Sequence, residues 1–85
     1  MHFEEVDAGD FRIYAGAIEK TRRSGYVAAV VVVREGGVPG MQREEAFRDE
    51  SLAGGFVWPT PSEALRFAIS AGRDVVMCRA GVAAR

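Results

Sequence analysis

One histidine, one cysteine and three adjacent pairs of carboxylates are the residues of this chain with chemistry to offer. His2 is the sole histidine and has no orienting partner near it in sequence, so it reads as a solvated side chain rather than a general base. Cys78 has no neighbouring histidine to activate it and falls on the apolar flank of a helical pattern, which reads as a buried, inert thiol. One cysteine and one histidine cannot assemble the usual zinc site. Glu4-Glu5, Glu44-Glu45 and Asp49-Glu50 have neither the spacing of a calcium loop nor converging partners, so they read as solvated charge. The glycine pairs Gly36-Gly37 and Gly54-Gly55 lack the lysine and threonine that complete a phosphate loop. These residues point away from an enzyme, with no catalytic residue, metal or cofactor expected.

The remaining chemistry is charge. Lys20, Arg22 and Arg23 crowd one turn, and Arg12 could join them, so these four are the best candidates for a nucleic-acid contact. Two or three bases alone release few counterions, and a solvated hairpin tip is the plainer reading. The formal net charge is −1. Glu4, Glu5, Asp7 and Asp10 make the first ten residues acidic and leave the body mildly basic, which is no nucleic-acid footprint. Trp58 could stack on a base, but beside Pro59 and a helix start it reads as a core anchor.

The elements that must position these groups fit a single domain of 85 residues. Its composition is 48% hydrophobic and 27% charged, ordinary for a globular chain but with a thin core at this size. No apolar run approaches the roughly 20 residues of a membrane span. The acidic N-terminus does not resemble a signal peptide, and a single cysteine suits a reducing compartment, so a cytoplasmic location is expected.

Residues 1–10 read as a flexible acidic lead, 11–80 as the α+β domain and 81–85 as a tail. From Phe11 to Lys20 the chain alternates, with Phe11, Ile13, Ala15 and Ala17 on one face of a half-buried strand. Arg22-Arg23-Ser24-Gly25 reads as a hairpin turn. Tyr26 to Val33 is apolar on both faces, the mark of a central strand that needs cover on both sides. Arg43 to Asp49 reads as a charged edge strand, and Phe56-Val57-Trp58 as a short extended anchor. Thr60-Pro61-Ser62-Glu63 combines a capping threonine, a proline at the first helical position and a glutamate three residues after the cap. A helix from Pro61 through Gly72 to Cys78, stopping at Ala80-Gly81, would span the sheet from end to end. The expected fold is a three-stranded antiparallel sheet under one long C-terminal helix, β-β-β-α.

That plan leaves apolar surface over. Leu65, Ile69, Gly72 and Val76 form the stripe expected against the sheet, while Ala64, Phe67, Ala71, Val75 and Cys78 form a second one. The candidate interface residues are therefore Phe67, Ala71, Val75 and Cys78 on the helix, with Tyr26, Val30 and Val32 on the central strand. A thin core with surplus apolar surface points to a homodimer, or to an unidentified protein partner, with nucleic acid disfavoured and no membrane.

Two resemblances accompany this reading. The layout Tyr14-x-Gly16, Gly25-Tyr26-Val27-Ala28, then Phe56 with Thr60-x-x-Glu63-Ala64 resembles the three-strand-plus-helix plan of integrase-type DNA-binding domains. That likeness implies sheet residues in a major groove, which would need arginines on the open face; the central strand carries alanines and valines instead. The chain is also similar to small uncharacterised bacterial β-β-β-α proteins with a late Gly72-Arg73 pair, over most of residues 11–78. That family brings a fold and no activity.

Overall fold

The computed structural model describes residues 1–20, 24–35 and 44–84, with side chains to residue 78 in the last of these. Five strands form one antiparallel sheet: β1 (His2–Ala8), β2 (Phe11–Glu19), β3 (Tyr26–Arg34), β4 (Glu44–Asp49) and β5 (Val57–Trp58). The order is β1-β2-β3-β4, with β5 beside the first residues of β3. A helix, Pro61–Ala84, lies across one face. The α+β antiparallel architecture is as expected, but the count of three strands is corrected to five. Residues 2–8, expected as a flexible lead, pair with β2 along their whole length.

Alternation decides what each strand buries. On β2, Phe11, Ile13, Ala15 and Ala17 face the helix and are buried, as their period of two predicts. The register sets Ile13 beside Val32, Ala15 beside Val30 and Ala17 beside Ala28, so the even residues of β3 share that face. Val30 and Val32 are 1% and 0% exposed, lying in the core rather than on the surface expected of interface residues. Tyr26 lies on the same side, half-buried, edge-on to His2 with 5.7 Å between ring centres.

The helix starts where its signature lies. Thr60 Oγ1 accepts a hydrogen bond from the Glu63 amide (3.2 Å) and donates one to the Glu63 carboxylate (3.1 Å). It runs on through Gly72 to Ala84, beyond the expected stop at Ala80-Gly81. The residues pressed hardest on the sheet are Ala64, Ala68 and Gly72, all buried and spaced one turn apart. Leu65, Ile69 and Val76 pack along one side of that line, Ala71 and Val75 along the other. The two stripes of the sequence are thus the flanks of one contact, not an inner and an outer face.

Gly72 shows why small residues take the centre. A Cβ there would stand 2.6 Å from Ile13 Cγ2 and 3.2 Å from Val30 Cγ2, so only glycine lets the helix lie this close. Gly25 closes the β2–β3 hairpin at φ 147°, where a side chain would be strained and would also strike Val57. Between β4 and β5 the turn Leu52–Gly55 buries Leu52 and carries Ala53 in the left-handed region at φ 55°. Among the described residues, no helix is long and apolar enough to cross a membrane.

Candidate functional site: the open face of the sheet

The helix occupies one face of the sheet, and the odd residues of β3 fall on the other. The register orders that second face in rows across the strands. Ile18, Val27 and Val57 form the row nearest the β2–β3 hairpin. Phe3, Gly16 and Ala29 form the next. Glu5, Tyr14, Val31 and Arg48 follow, and Asp7, Arg12, Val33 and Glu45 make the last. Apolar side chains fill the first two rows; charge enters only in the last two, and there at the outer strands and Arg12.

Gly16 makes the middle of this face low. With no side chain at that position, Phe3 and Ala29 flank a shallow groove of about 300 Å³, reached also by Tyr14, Ile18 and Val31 and bordered on the β4 side by Arg48 and Glu50. Phe3 stands at its edge, 73% exposed. No described residue lies over the groove: β1 extends the sheet instead of folding across it, and Phe56 to Trp58 leads into β5. The sequence named the central strand's second face as needing cover. Its residues are Ala29, Val31 and Val33, not the Val30 and Val32 selected from the sequence. The signal was available in the hairpin pairing, because the polar phase of β2 settles the phase of β3.

Ion pairs border the face. Arg12 donates to the Glu5 carboxylate and lies 3.9 Å from Glu35; the Glu5 hydrogen bond raises the guanidinium pKa. Arg48 binds Glu45 at 2.9 Å and Glu50 at 2.7 Å. The hydrogen bonds Arg48 donates to these carboxylates, Glu45 first, raise its pKa, and the same bond holds the Glu45 carboxyl below its usual range. Each arginine is already matched by acids of this chain, so Arg12 offers little to a phosphate backbone. Lys20 is exposed at the hairpin, while Arg22 and Arg23 lie outside the described residues.

The helix-flank candidates separate. Phe67, 38% exposed, packs its ring against Trp58 at 4.7 Å, and Trp58 meets Phe56 edge-on at 4.7 Å. Ala71 and Val75 pack on the core. Cys78 is exposed, which corrects the expected buried thiol: at 3.6 residues per turn it is rotated well away from the inward line of Ala64, Ala68 and Gly72. The flank is therefore an aromatic cluster partly used inside the molecule, whereas the open sheet face keeps an apolar groove around Phe3, Ala29 and Val31, with Val27 at its hairpin end already buried. Among the described residues, no three potential metal ligands cluster. No family model, curated protein or solved structure matches the chain.

Proposed function

We propose that this chain is a non-enzymatic interaction module of the cytoplasm that forms a homodimer through the open face of its sheet. The observation that carries this reading is the groove floored by Gly16 and Ala29, with Phe3 at its rim and 73% exposed. Exposed apolar surface of this kind marks an interface. Two such faces can stack as sheets do in sandwiches, about 10 Å apart, with Phe3 of each copy entering the low ground at the other's Gly16. Overlap over the two apolar rows and Val31 leaves the ion pairs of the outer strands at the border of the contact, where they stay solvated. An exposed single thiol also suits a reducing compartment.

Molar mass by light scattering across a dilution series tests this. The expected result is a dimer that dissociates on dilution, with Val31→Lys shifting it to monomer at unchanged circular dichroism. Phe67→Asp, on the helix flank, leaves the dimer in place. A monomer at every concentration, or a Val31→Lys protein that dimerises as before, would sink the proposal. Salt-dependent binding to DNA or RNA at low ionic strength would favour the nucleic-acid alternative instead.

A further inference from the structure

Apart from its faces, the sheet has two outer edges, and they differ. β4 is short, its register shifts between Val32 and Val33, and β5 occupies the rest of that side of β3. A bulge and a split edge are poor templates for another strand. β1 pairs with β2 in unbroken register from His2 to Ala8, and among the described residues nothing pairs with its far side. It is the one long, regular edge.

Beside that edge lies a second hollow, of about 260 Å³, between β1 and the helix. Glu4, Arg66, Leu65 and Ile69 line it, with Ser62 at the helix start. Leu65 and Ile69 are half-buried and line the hollow together with Glu4 of β1. Leu65 and Ile69 therefore offer apolar cover, beside the charged Arg66, to a strand added at this edge.

Charge decides which strand fits. β1 carries Glu4, Glu5 and Asp7 and no lysine or arginine. A second copy of β1 laid antiparallel on the first would set acids against acids, which disfavours self-pairing. An extended segment with lysine or arginine at alternate positions meets the same acids favourably. We propose that the outer edge of β1 accepts an extended basic segment of a partner protein. Its backbone continues the sheet, its basic residues lie beside Asp7 and beside Glu5, which Arg12 shares, and its apolar residues enter the hollow beside Leu65 and Ile69. This site is separate from the open face and stands whether or not the chain dimerises there.

The test uses the full chain and three acetylated peptides. One alternates valine and lysine; one replaces lysine by glutamate; the third repeats the first with alternate amides N-methylated. Binding is followed by fluorescence anisotropy and by amide hydrogen exchange. The valine–lysine peptide is expected to bind and slow exchange within residues 2–8, the glutamate peptide to bind at least about tenfold more weakly. The N-methylated peptide should fail to bind, since it cannot continue the ladder. Val31→Lys should bind the first peptide normally, and Asp7→Lys should weaken it. Equal binding of the N-methylated peptide, protection centred on β4, or no binding of the first peptide would overturn the proposal. Concentration-dependent protection of residues 2–8 without peptide in the Val31→Lys protein, where the open-face dimer is removed, would assign the edge to a second copy and overturn it as well.

Discussion

The two faces of this sheet are made by the same strands, and each has a glycine at its centre, yet the glycines do opposite things. On the covered face Gly72 belongs to the helix and removes the one side chain that would hold helix and sheet apart. On the open face Gly16 belongs to the sheet and is covered only from the side, by the ring of Phe3 on the neighbouring strand. A Cβ at Gly16 would meet only Phe3 at 3.5 Å and Ala29 at 3.9 Å, ordinary contact distances. Close packing explains the first glycine; the second is explained by what a flat, low surface can receive.

The comparison breaks most easily in the core. Ile13→Ala empties a fully buried site under the helix and should cost about 2–5 kcal/mol in urea unfolding. The half-buried Val31 on the other face has no cavity to leave, so Val31→Ala should cost clearly less; equal losses would mean the open face is packed in the monomer. Gly72→Ala is the sharper probe. Helix propensity alone would make alanine better by about 1 kcal/mol. The contact with Ile13 should reverse that sign and leave a net loss of about 1–2 kcal/mol. A stabilised Gly72→Ala protein would refute the close approach.

Gly16→Ala should gain about 0.5–1 kcal/mol, because glycine within a strand is unfavourable and the added methyl has room. The same change raises the groove floor, so the dimer should weaken while the monomer strengthens; light scattering and thermal unfolding together separate the two. The smallest effect is expected at the border. Glu45 has its carboxyl held low by Arg48, so its contribution is present above the ordinary carboxylate value of about 4.3 and is lost as pH falls below it. In Arg48→Ala the Glu45 carboxyl should titrate higher by NMR, with little change in stability near neutral pH.

How much of this could be read beforehand depended on whether a residue's neighbours broke its symmetry. β2 announced itself because polar and apolar residues alternate along it. The helix start did so through Thr60, Pro61 and Glu63. β1 did not: Phe3 and Val6 fall on opposite faces, so no period-two pattern forms, and pairing with β2 alone makes it a strand. β3 was recognisable as a strand but not as to which face would be covered, since valine lies on both. The helix was phased by its larger residues, whereas the close approach turned Ala64, Ala68 and Gly72 inward and left Leu65 and Ile69 at the side. That same rotation leaves the hollow beside β1.

The order β1-β2-β3-β4 has a consequence in time. Each of these strands pairs with the next in the chain, so the loops to be closed are short and the sheet can assemble early. The helix follows the sheet in the chain, and at roughly 5–20 residues per second its 24 residues take about 1–5 s to add after it. During that interval Val30 and Val32 are as bare as Val31 and Val33. Arrival of the helix converts a sheet that is adhesive on both sides into one with a single adhesive side, so a chain halted before Pro61 would be expected to aggregate where the finished one stays discrete.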